Sequence, residues 1–170
     1  YYEKFKLPYN CMNYKTTERL EFHELLQYFE NHLMQHIMPF WLEHCLDNAR
    51  GGFNNWVNDD GRLISTEKFL WSQGRALWML SSLYNDFDGD PKWLELATPI
   101  ARLLIDKGRT PNGDWLFSLN ADGSPKKESQ SIYVNAFCIY GLTEFARATG
   151  DLEALEVCLD SYKYVRLQLD

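Results

Sequence analysis

The chain has 170 residues, 45% hydrophobic and 24% charged, with ten glycines and six prolines, a composition that excludes a collagen repeat, a low-complexity chain and a disulfide scaffold. Seventeen Lys and Arg against 24 Asp and Glu give a net charge of −7. The one adjacent basic pair, Lys126-Lys127, falls in a turn-like stretch, so no nucleic-acid partner is expected. No apolar run reaches the roughly 18–20 residues of a membrane span. Tyr1-Tyr2-Glu3-Lys4 opens a polar stretch without a signal-peptide core. Cys11, Cys45, Cys138 and Cys158 form no CxxC pair and read as reduced residues of a cytoplasmic protein.

The first predicted helix takes Thr17 as its N-cap, with Leu26, Phe29, Leu33 and Ile37 close to a 3.6-residue period. Pro39 predicts a break or kink, followed by a short continuation over 40–46. Asp60-Gly61 between two short apolar-bearing runs predicts a hairpin over 53–64. A second helix is predicted over 67–85, and a third from Asp90-Pro91 to Gly108. A second hairpin is predicted over 115–125 around Asp122-Gly123. A fourth helix over 130–149 and a fifth from Gly150-Asp151 follow.

This order is a repeat. Asp60-Gly61 and Asp122-Gly123 are offset by 62, as are Trp71 and Tyr133, Arg75 and Phe137, and Trp78 and Tyr140. Each repeat is a hairpin, an aromatic helix, a Gly-Asp turn and a second helix. The period exceeds the roughly 33–47 residues of ankyrin, tetratricopeptide and HEAT units. It suits an all-α toroid of helical hairpins, with the first helix of each pair inside, the second outside and both β-hairpins at one end. Two repeats do not close a ring, so further repeats are expected beyond Asp170.

Trp71, Arg75, Trp78 and Ser82 share one helical stripe. A guanidinium between two indoles either stacks structurally or aims its donor fork into a polar pocket. The matching stripe is Tyr133, Phe137 and Tyr140, with the Asn135 amide nearby. Aromatic faces with polar donors suit sugar rings, which present C–H faces and a rim of hydroxyls. His23-Glu24-Leu25-Leu26-Gln27 is a near miss to HExxH, and the His32/His36 pair has no evident third ligand, so no metal is expected. These histidines read as the solvent side of an outer helix. No GxGxxG, P-loop or GxSxG is present.

Gly51-Gly52-Phe53, the run Lys68-Phe69-Leu70-Trp71-Ser72-Gln73-Gly74-Arg75 with Trp78-Met79, Ser131-Ile132-Tyr133, Ala136-Phe137 and Glu144-Phe145-Ala146-Arg147-Ala148-Thr149-Gly150-Asp151 resemble the N-acylglucosamine 2-epimerase family. This group also includes cellobiose 2-epimerases, mannose isomerases and sulfoquinovose isomerases. The resemblance implies part of an (α/α)6 barrel, an isomerase that moves the proton at C2 of a ring-opened sugar, and no redox cofactor. It implies substrate contacts for Arg75, Trp71 and Tyr133, with Asn135 as a fourth candidate. The histidine bases are expected beyond Asp170, because none of His23, His32, His36 or His44 sits on a predicted inner helix. The whole chain then reads as one N-terminal barrel segment. Its sugar is best read as N-acylglucosamine and N-acylmannosamine, its partner as that small molecule, and a homodimer stays open. Competing readings are another aldose–ketose isomerase or cellobiose 2-epimerase, a non-catalytic helical repeat, and an α/α-toroid glycoside hydrolase. The hydrolase needs two carboxylates across a lumen. Asp59, Asp60 and Asp122 are its candidates, though all three suit turn chemistry.

Overall fold

The computed structural model describes residues 22–129 and 131–169, so the Thr17 cap lies outside the described residues. The chain divides into two units, 1–39 and 40–170. In the first, helix α1 (Phe22–His32) passes into a π turn at Leu33–Ile37. Of the break or kink that the sequence predicts at Pro39, the break does not occur: helix α2 (Met38–His44) spans it, directly after the π turn. Proline has no N–H and crowds the carbonyl four residues back. The π turn lengthens the spacing just before it, with Met38 N–H donating to Leu33 O, five residues back. The apolar stripe of α1 forms but is not buried: Leu26 and Phe29 are exposed, and Met38 is the one buried residue described in this unit.

The second unit is mostly helical with two small antiparallel sheets. Strands β1 (Trp56–Val57) and β2 (Leu63–Ser65) form the first hairpin. Asn58 Oδ1 accepts the N–H groups of Asp60 and Arg62 and shapes its turn. Strand β3 (Lys68–Phe69) pairs with β4 (Leu116–Leu119), and β4 pairs with β5 (Pro125–Glu128). Two expectations change here. Lys68-Phe69 is strand rather than helix, because it pairs with Leu119 and Ser118, and helix α3 (Leu70–Asp86) starts three residues later than predicted. Lys126-Lys127 lies on the edge strand β5 rather than in a turn.

Helices α4 (Lys92–Lys107), α5 (Ile132–Thr149) and α6 (Leu152–Leu169) complete the order. Asp90-Pro91 and Gly108 bound α4 as the sequence predicts, with Pro91 at its N-cap. Ser131 caps α5 through Tyr133 N–H, and Gly150 ends it in the left-handed conformation at φ 72°.

Helices α3 and α5 run parallel in close contact. Their repeat-equivalent residues meet: Trp78 stacks on Tyr140 at 4.8 Å, and Ser82 donates to Glu144. The approach is backbone to backbone. A Cβ on Gly74 would fall 2.6 Å from the Phe137 carbonyl carbon, and one on Gly141 2.9 Å from that of Gly74. Only glycine fits at such a contact. The core is built from Leu70, Leu77, Leu80, Ile100, Leu104 and Leu142, together with Trp93 and Trp115. Both indoles are polar-satisfied, Trp93 on Asp88 and Trp115 on Ser161. Cys45, Cys138 and Cys158 are buried free thiols. Burial raises all three pKa values. No described helix is long and apolar enough to cross a membrane.

Candidate functional site

The α3–α5 pair has a packed side and an open side. On the open side lie Trp71, Arg75 and Trp78 from α3, and Tyr133, Phe137 and Tyr140 from α5. Spacings of i, i+4 and i+7 put each triplet on one stripe. The parallel register then sets the stripes side by side. The Arg75 guanidinium lies over the Phe137 ring, 5.5 Å from its centroid, and Tyr133 meets the same ring edge-on at 4.8 Å. Tyr133 and Tyr140 stay 55% and 45% exposed.

Unlike Arg102 and Arg147, and like Arg62, Arg109 and Arg166, Arg75 forms no ion pair with a described carboxylate, and of these it is the arginine on this face. Arg102 binds Asp151 and Glu153, and Arg147 binds Asp86 and Glu144. Arg75 is exposed and has no carboxylate within 4.0 Å among the described residues. Its five donors are therefore available to acceptor oxygens of a ligand. The charged cluster at the C-terminal end of the helices is self-contained. Burial pushes Glu144 upward, but hydrogen bonds from Arg147 and Asn85 outweigh it and leave its pKa below the usual value.

Three of the four sequence-predicted residues reach this face; Trp71 joins it one turn before Arg75, stacked on Phe69 at 6.3 Å. Asn135 does not. It is 1% exposed, and its Nδ2 donates to Asp114 Oδ1 at 3.2 Å. Two residues of helix rotate it by about 200° from Tyr133. The α3 motif also divides. Lys68 is buried against Asp47, Gln73 clamps the Phe53 backbone through both amide atoms, and Gly74 makes the helix contact. These tethers escaped the sequence reading, although a lysine and a glutamine inside an apolar run signal buried polar partners.

The carboxylates suited to a hydrolase stay in turns: Asp59 and Asp60 in the first hairpin and Asp122 in the second, where it accepts from Ser124. His32 and His36 rings lie 5.5 Å apart. Among the described residues no group of three or more His, Cys, Asp and Glu side chains is placed to hold a metal. His44, the histidine of the second unit, packs on Phe40 and against Gly61.

The sequence profile of the N-acylglucosamine 2-epimerase (GlcNAc 2-epimerase) family matches residues 51–169. The chain belongs to this family. Among family members, a cellobiose 2-epimerase of Bacteroides fragilis is 36% identical over 133 residues, 77% of this chain and 34% of that protein. An N-acylglucosamine 2-epimerase of Bos taurus is 30% identical over 141 residues, 78% of this chain and 33% of that protein. The solved cellobiose 2-epimerase from Bacillus thermoamylovorans B4167 superposes with a TM-score of 0.78 at 27% identity, covering 85% of this chain and 37% of that one. The chain thus spans about a third of the length of the curated relatives it matches.

Proposed function

We propose that this chain supplies the Arg75 face of a sugar 2-epimerase that interconverts N-acylglucosamine and N-acylmannosamine, within an (α/α)6 barrel. The observation that carries the reading is the exposed, carboxylate-free Arg75 guanidinium between aromatic walls on two parallel repeat-equivalent helices. Family membership supports sugar 2-epimerisation, and the relatives divide between N-acylglucosamine and cellobiose as named substrates.

In the ring-opened sugar the C1 carbonyl acidifies the C2 proton. A base removes that proton and the electron pair delocalises onto O1. Return of a proton to the opposite face of C2 restores the carbonyl with inverted configuration. No electrons are gained or lost, so the step balances without an oxidant or reductant. Arg75 faces the developing enolate oxygen O1, where fixed donors contribute most. Trp71 and Tyr133 flank the sugar. Neither α3 nor α5 carries a histidine, and the bases belong to other helices of the barrel. The buried free thiols favour a cytoplasmic setting.

Saturation-transfer NMR of the chain with N-acetylmannosamine, N-acetylglucosamine and cellobiose tests the reading. Transfer to the N-acetyl sugars that disappears in Arg75→Met supports it. Equal transfer in wild type and variant refutes it, and transfer to cellobiose alone reassigns the substrate.

A further inference from the structure

The buried half of the β3–α3 motif has no role in the chemistry above. Lys68 is 0% exposed, with Nζ 2.8 Å from Asp47 Oδ2. Asp47 is buried as well, and its Oδ1 accepts Arg50 N–H at 3.1 Å. Taking an ammonium and a carboxylate out of water costs several kcal/mol per ion, and an apolar pair of similar volume is often as stable or more so. A buried ion pair is therefore a poor source of stability and a good device for fixing one geometry.

Three further bonds act on the same segment. Gln73 accepts Phe53 N–H and donates to Phe53 O, each at 2.7 Å, and Asn55 Oδ1 accepts Phe69 N–H at 2.9 Å. Asp47, Phe53 and Asn55 are thus tied to Lys68, Gln73 and Phe69. The tethered segment delivers Trp56, half exposed, with its ring 6.0 Å from Phe69. Phe69 stacks on Trp71 at an interplanar angle of 10°. Trp71 precedes Arg75 by one helical turn.

We propose that Lys68, through its buried pair with Asp47, is a positioning residue that sets the Trp56–Phe69–Trp71 wall beside Arg75. The proposal rests on the reading of that face as the sugar site. Lys68 touches no sugar; it fixes the segment whose last ring extends the wall.

The test is 19F NMR of the full chain labelled with 5-fluorotryptophan, with Trp56 and Trp71 assigned by Trp56→Phe and Trp71→Phe. Lys68→Met moves the Trp56 and Trp71 resonances and leaves Trp93 and Trp115 in place. Binding of N-acetylmannosamine weakens about tenfold, the order of one lost ring contact. Lys68→Met/Asp47→Leu removes the unpaired carboxylate, so its Tm returns to that of the wild type or above. Its Trp56 and Trp71 resonances stay displaced, and binding stays weak. A double variant that recovers the wild-type resonances overturns the proposal, because the pair is then a replaceable filler. One that fails to fold overturns it too, because the pair is then a stability element. If the wild-type chain binds no sugar, the functional reading fails, while the resonances still decide whether Lys68 positions the wall.

Discussion

Gly74→Ala separates two opposite expectations. On an isolated helix the substitution stabilises by about 1 kcal/mol, because alanine loses less backbone entropy. In this fold the new methyl would stand 2.6 Å from the Phe137 carbonyl carbon and 3.0 Å from Cys138 N. Both are backbone atoms and neither can rotate away. Ordinary contact begins at 3.4 Å, so α3 and α5 must part by roughly 1 Å, which forfeits a quarter to a half of the dispersion energy at their contacts. Overpacking of this kind costs about 1–3 kcal/mol, and an immovable target puts it at or above the upper end. After the propensity gain, a net loss of about 2 kcal/mol remains, roughly a 30-fold fall in the folding equilibrium. For a chain of this size that is a Tm drop of about 4–8 °C. Thermal unfolding followed by circular dichroism at 222 nm measures it. Gly141→Ala meets the Gly74 backbone from the other side, so the double variant loses less than the sum of the singles. A rise in Tm for Gly74→Ala would refute the backbone contact, and with it the alignment of the two aromatic stripes.

Arg75→Met should leave the unfolding free energy within about 0.5 kcal/mol of wild type, since Arg75 is exposed and packs on the Phe137 ring; sugar saturation transfer should vanish. Arg75→Lys keeps the charge but not the planar fork, and transfer should fall there too. In acid, Asp47, Glu67 and Glu144 act together: each folded pKa lies below its unfolded value, so the stability they contribute is complete above about pH 4 and is lost as pH falls through the folded values. Tm against pH should therefore bend downward below about pH 4, and Glu144→Gln should lower Tm at neutral pH while making that bend shallower. Purified chain should catalyse no deuterium exchange at C2 of N-acetylmannosamine in D2O, because α3 and α5 offer no histidine; exchange above buffer would identify a base among the residues assigned no such role.

The elements legible in the sequence carry their signals locally. Asp90-Pro91 and Gly108 bound α4, and the 62-residue offset predicted which residues of α3 and α5 correspond, as the Trp78–Tyr140 stack bears out. What escaped depends on distant partners. A two-residue strand at Lys68-Phe69 has no periodicity of its own and exists because Ser118 and Leu119 pair with it. Pro39 leaves break and kink open in the sequence, because the one-residue change of helical pitch that accommodates it leaves no mark in composition. For Asn135 the information was present in the helical angle, which turns it away from the Tyr133 stripe toward Asp114.

The same offset explains Asn135. Adding 62 to Gln73 gives Asn135, and adding it to Phe53 gives Trp115. Gln73 holds the Phe53 backbone, and Asn135 holds Asp114, the neighbour of Trp115. The frame recurs around them: the bridge between Leu46 and Phe53 returns between Arg109 and Trp115, and the hairpin glycines Gly61 and Gly123 both take positive φ, 77° and 82°. Each repeat therefore ties its aromatic helix to the loop before it through one buried amide. A frame built twice is explained by folding alone, so chemistry is sought where the copies differ. They differ at Arg75, whose equivalent is Phe137, and at the buried Asp47–Lys68 pair: the backbone bond from Asp47 N–H to Gly52 O recurs from Thr110 N–H to Asp114 O, so Asp47 answers to Thr110, and adding 62 to Lys68 gives Gln130. The guanidinium and the ion pair thus occur in the same repeat, on opposite sides of the same short segment. A duplicated scaffold that places a buried charge pair beside the exposed Arg75 is the pattern expected when that arginine must be held in register with the wall next to it.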